Sequence, residues 1–108
     1  MQVRMVFCTC PDIDTATRIA DVLVGERLAA CVNVLPGVRS VYRWQGAVER
    51  AEEAMLVIKT SVERLPALSA RVQSLHPHEL PEVLAVATTD GLPAYLQWIV
   101  AETALESE

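Results

Sequence analysis

The sequence predicts an α+β domain of the ferredoxin-like, split βαβ class, ordered β-α-β-β-α-β with a further helix at the C-terminus. Three observations carry that expectation. Ala30 to Thr60 reads as one long β-hairpin turning at Gln45-Gly46. Segments with helical spacing stand on either side of it, one after an opening strand and one before a closing strand. The chain of 108 residues leaves room for a single domain, residues 1–108, and shows no internal repeat, low-complexity tract or linker.

Gln2 to Thr9 sets Val3, Met5 and Phe7 against Arg4, Val6 and Cys8, the two-residue period of a strand. Pro11 cannot donate to a ladder, so it closes the strand, and Asp12 can cap the helix that follows. From Ile13 to Val24, the residues Ala16, Ile19, Ala20 and Leu23 recur at helical spacing, with Asp14 favourably charged in the first turn and Gly25 as a stop.

In the first arm of the hairpin, Ser40, Tyr42 and Trp44 share one face, and Val41 lies on the other between Arg39 and Arg43. Pro36-Gly37 interrupts this arm and is tolerable only at an edge or a bulge. Gly46 supplies the positive φ of a tight turn. Met55-Leu56-Val57-Ile58 is apolar without alternation, as expected for a strand central to the sheet. An arm from Ala47 to Thr60 reaches about 45 Å, whereas a compact chain of this size has a radius of gyration of about 13 Å. The distal hairpin should therefore project. Glu49, Arg50, Glu52 and Glu53 protect some of its edge, but Tyr42, Trp44 and Val48 do not, which predicts an oligomer built on hairpin edges.

Beyond the hairpin, Ser61 can cap a second helix lined by Leu65, Leu68, Val72 and Leu75, although Pro66 moves the regular start toward Arg64. His76 to Glu82 holds two prolines and should be an ordered turn. Val83 to Ala87 follows as an apolar strand. Asp90-Gly91-Leu92-Pro93 opens a last helix with Leu92, Tyr95, Leu96 and Ile99 on one face, and the acidic tail from Glu102 to Glu108 is expected to fray.

Net charge is −5, and Lys59 is the single lysine. With a pI near 5.0 there is no basic footprint for a phosphate backbone, which argues against nucleic acid as a partner. A hydrophobic content of 52% suits a chain that buries surface against other subunits. No apolar run approaches membrane-spanning length and no leader pattern follows Met1, so no membrane association and a cytoplasmic location are expected. Cys8, Cys10 and Cys31 are odd in number, which favours free thiols or metal ligands over a disulfide framework.

The four glycines stand apart, so there is no phosphate-cradling loop, and no nucleophile elbow or His-Glu-x-x-His spacing is present. A non-enzymatic role is therefore expected. Cys8 and Cys10 project to one face of a strand end, where they serve either as soft ligands for copper(I) or zinc or as small buried hydrophobes. His76 and His78 flank Pro77 with Glu79 and Glu82 close behind; the group suits a metal shell, and equally a proline-stiffened turn facing water. Tyr42 with Trp44, and Tyr95 with Trp98, suit packing or an interface.

Cys8-Thr9-x-Pro11-Asp12, Leu28-Ala29-Ala30-Cys31-Val32-Asn33, Pro36-Gly37, Ser40-x-Tyr42-x-Trp44-x-Gly46, Lys59-Thr60, His76-Pro77, Pro81-Glu82 and Tyr95-Leu96-x-Trp98 occur in this order across nearly the whole chain. Together they resemble the CutA divalent-cation-tolerance family. The resemblance implies a ferredoxin-like subunit in a homotrimer similar to the PII signalling proteins, with extended strands paired between subunits. It also implies metal tolerance and copper or other divalent-ion binding, with Cys8 and His76 matching family ligands. A second family histidine is replaced here by Leu75, and His78 stands where the family usually has tyrosine, so His78 is a third candidate ligand. The other functional class under this resemblance is a PII-like sensor, with a small ligand held between subunits near Tyr42, Trp44, Lys59 and Glu82.

Overall fold

The computed structural model describes residues 2–105, so the last three residues of the expected fraying tail, Glu106–Glu108, lie outside the described residues. The elements are β1 (Val3–Cys10), α1 (Ile13–Gly25), β2 (Cys31–Trp44), β3 (Ala47–Ser61), a 3-10 turn (Val62–Arg64), α2 (Leu65–Leu75), β4 (Leu84–Ala87) and α3 (Pro93–Glu102). The strands form one antiparallel sheet in the order β2-β3-β1-β4. This is the ferredoxin-like arrangement, with the apolar root of β3 central as its unbroken run requires.

Helix α1 starts where Asp12 Oδ1 accepts from the Thr15 amide at 2.7 Å. It ends at Gly25 as expected, but that glycine is not the left-handed residue of the cap. The left-handed residue is Arg27 (φ 60°). The amides of Leu28 and Arg27 reach back to the carbonyls of Leu23 and Val24, at 2.9 and 3.1 Å. That pairing closes the helix by the Schellman pattern and carries Leu28 into the core, so the hydrophobic contact offsets the strained backbone at Arg27. Ser61 likewise makes no cap bond to α2; its hydroxyl is buried and accepts from Thr103 Oγ1 at 3.0 Å, tying β3 to the end of α3.

The core lies between the sheet and the helices α1 and α2. Val6, Cys8 and Cys10 of β1 meet Ala54, Leu56 and Ile58 of β3 there, beneath Ile19, Leu23, Leu68 and Val72. Intervening residues Met5, Phe7, Met55 and Val57 point to the opposite face, which those helices leave partly uncovered. On that face Leu35 of β2 is 42% exposed and Leu84 of the edge strand β4 is 60% exposed. Helix α3 packs against β3 and β1, and of its expected apolar face only Ile99 is buried; Leu92 and Tyr95 remain exposed.

The hairpin sets the shape, giving extents of 47 × 29 × 23 Å. The longest dimension matches the expected arm of about 45 Å. At its tip Gln45 (φ 50°) and Gly46 (φ 83°) are both left-handed, the two-residue turn whose twist matches the strands. Lower down, the ladder shifts between Leu35↔Met55 and Val38↔Glu53, so Pro36-Gly37 accommodates one extra residue. The consequence is directional. Without that residue Arg39, Val41 and Arg43 would share the face of Leu35; with it, Val38, Ser40, Tyr42 and Trp44 do.

Candidate functional site

Cys8 and Cys10 sit opposite Leu56 and Ala54, so the strand period turns both sulfurs toward the core, and both are fully buried. His76, just past the end of α2, closes on them from the proline-rich turn and is 7% exposed. The two sulfurs and one ring nitrogen all lie within 4.8 Å of one another. The Cys8 thiol donates to the Thr9 carbonyl at 3.8 Å. The neighbouring Cys10 sulfur, together with burial, pushes the Cys8 pKa far up, while the same neighbour holds Cys10 below the ordinary thiol value.

His76 is held at both nitrogens. Nε2 donates to the Thr9 carbonyl at 2.7 Å, and Nδ1 accepts from the His78 amide at 3.1 Å. Those partners set the neutral tautomer with the proton on Nε2. Two sulfurs and an imidazole form a donor set suited to copper or zinc rather than to magnesium or calcium, which require oxygen. Metal ligation by His76 would replace one of its two hydrogen bonds, and ligation by the thiols would release their protons.

The sequence candidates divide between two places. Cys8 and His76 meet in the buried cluster. His78 does not join it; its ring centroid is 4.8 Å from that of His76, but it is exposed and faces an open cleft of about 1050 Å³. Tyr42, Trp44 and Glu82 line the same cleft, which separates the distal hairpin from the turn Pro77–Val83. Glu82 accepts from Thr9 Oγ1 at 3.5 Å. Lys59 is elsewhere, at the root of the hairpin, where its ammonium donates to Asn33 Oδ1 and lies 3.9 Å from Cys31 Sγ. The cluster gains one residue that motif matching leaves out. Cys10 is its second sulfur, and the signal for it is the two-residue spacing from Cys8 on one strand face.

Fold and site together define a class: a ferredoxin-like α+β subunit carrying a closed thiol and imidazole cluster on one side of its sheet and an uncovered apolar face on the other. Residues 4–102 match the sequence profile described as "CutA1 divalent ion tolerance protein". The chain is 44% identical to the "Divalent-cation tolerance protein CutA" of Thermus thermophilus, over 93% of this chain and 97% of that protein. It is 43% identical to "Protein CutA" of mouse, over 90% of this chain and 55% of that protein, so it spans about half the mouse relative's length. The crystal structure of CutA from Xylella fastidiosa aligns with a TM-score of 0.92 at 50% identity, covering 95% of this chain and 99% of that one. The chain belongs to the CutA1 divalent ion tolerance family. Among the described residues, no helix is long and apolar enough to cross a membrane.

Proposed function

We propose that this chain is a homotrimeric, cytoplasmic divalent-cation-tolerance protein that binds copper and catalyses no reaction, acting as one domain over its length. Cys8 and His76 hold the ion. The observation that carries this reading is the convergence of a buried thiol pair with a buried imidazole. The trimer is supported by the half-covered apolar face and the projecting hairpin, both of which call for burial against another surface.

The test is copper affinity by chelator competition, wild type beside His76→Ala, with thiols reduced. Weakening by an order of magnitude or more, about 1.4 kcal/mol, is the expected result. Unchanged affinity removes His76 from the metal shell.

A second reading, a PII-like sensor, is favoured by the cleft lined by Tyr42, Trp44 and Glu82. Lys59 lies outside that cleft in the single subunit, so this reading requires the neighbouring subunit to bring a lysine to it. A thermal-shift screen of metals and metabolites separates the two readings, because only a true ligand raises the melting temperature with concentration.

A further inference from the structure

Copper binding through Cys8 and His76 does not account for Cys10. A lone ligand thiol at a strand end needs no second thiol beside it, yet Cys10 is fully buried on the same face, one strand period away. Sulfur at both positions doubles the soft donors in a space sealed from water. The three donor atoms are already gathered within 4.8 Å. Two metal–sulfur bonds of about 2.3 Å opened to a trigonal angle place the sulfurs about 4.0 Å apart, so closing on an ion takes a contraction of under about 1 Å.

The number of donors selects the ion. Closed zinc sites use four protein ligands, whereas three converge in this group and no fourth histidine, cysteine or carboxylate joins them among the described residues. Copper(II) favours tetragonal nitrogen and oxygen shells. Copper(I), a soft ion with a filled d shell, accepts two or three ligands and prefers thiolate.

From these observations we infer that the cluster is a copper(I) site built on Cys8 Sγ, Cys10 Sγ and one ring nitrogen of His76, with Cys10 in place of the more distant His78. The inference rests on the copper-binding reading and narrows it to one oxidation state and one donor set. Binding involves no electron transfer: two S–H bonds give up two protons to solvent, two copper–sulfur bonds form, and copper enters and stays as copper(I). His76 yields one hydrogen bond, either from Nε2 to the Thr9 carbonyl or from the His78 amide to Nδ1. The other bond keeps the ring oriented.

The experiment is an anaerobic competition of the full chain against a copper(I) chelator, run beside separate copper(II) and zinc titrations. Wild type is compared with Cys8→Ser, Cys10→Ser and His78→Ala. One copper(I) per chain is expected, weakened at least about 100-fold by Cys10→Ser and by Cys8→Ser and changed less than about threefold by His78→Ala. X-ray absorption on copper-loaded wild type adds a count that no folding defect in a variant can disturb, and two sulfurs with one nitrogen are expected. Wild-type affinity in Cys10→Ser with loss in Cys8→Ser, or a single sulfur in the shell, overturns the role of Cys10 and leaves the broader copper reading standing. Binding of copper(II) but not copper(I) overturns the oxidation state alone. No binding of either ion overturns both readings.

Discussion

The two faces of the sheet are built from similar side chains and meet different fates. On β1 and β3, Val6, Cys8, Leu56 and Ile58 lie under α1 and α2 and are fully buried. Their sequence neighbours Met5, Phe7, Met55 and Val57 are comparably apolar but only partly covered. Apolar content in a strand therefore says that a face needs covering, not that this chain covers it. The difference also separates the two candidate sites, since the thiol and imidazole cluster stands on the closed side and the cleft with Tyr42 and Trp44 on the open side.

The largest effect expected from this comparison is at Leu56, completely buried between the sheet and its helices. Leu56→Ala should cost about 2–5 kcal/mol through lost burial and the cavity left behind. Leu84→Ala, on the open face and 60% exposed, should cost under about 0.5 kcal/mol if that face is free. Denaturant unfolding of both variants, with mass measured by light scattering, checks the pair. A large loss at Leu84, or a change of assembly mass, shows that another surface covers the open face and dissolves the contrast in the direction of the trimer.

Much of this contrast could be read before the structure. The period of β1, the root of β3 and the order of elements followed from spacing and turn residues, because those signals are local. Pro36-Gly37 announced a bulge, and Tyr42 and Trp44 were expected on a common face. Which face that was depended on the ladder register across from Glu53, a tertiary fact. α1 ends at Gly25 as the glycine suggests, but the left-handed position falls at Arg27 for a similar reason: burial of Leu28 outweighs the backbone preference there. Lys59 was grouped with the cleft by motif alone, while the sheet pairs it with Cys31 and next to Asn33. Within the thiol and imidazole cluster, the strand period shows that Cys8 and Cys10 share a face, but only the packing of the proline turn shows that His76 reaches them.

A middle-sized effect tests the device that turns the hairpin's aromatics to the open side. Gly37 holds φ at +73° with open space around its Cα. A β-branched residue there pays a backbone penalty of about 1–2 kcal/mol with no clash to confuse the reading. Gly37→Val should lower the melting temperature and, if the bulge migrates to relieve strain, move Trp44 to the other face with a change in its fluorescence. Unaltered stability and fluorescence would show that the bulge does not depend on the left-handed glycine.

A last effect lies on the closed side, at the start of the helix that covers it. The Asp12 carboxylate accepts from the Thr15 backbone amide, which holds its pKa below the ordinary carboxylate value. A carboxyl group depressed by folding adds stability that is fully present above its unfolded pKa and is lost as the pH falls through the folded one. Asp12→Ala should therefore melt slightly below wild type at neutral pH, and the two melting curves should converge as acid protonates Asp12 in the wild type. Melting temperatures taken from pH 7 down to pH 2 read this directly. A gap that stays constant across that range would mean that Asp12 acts through its shape at the helix entry rather than through its charge, and the cover over the cysteine face would then owe nothing to the electrostatics of its first turn.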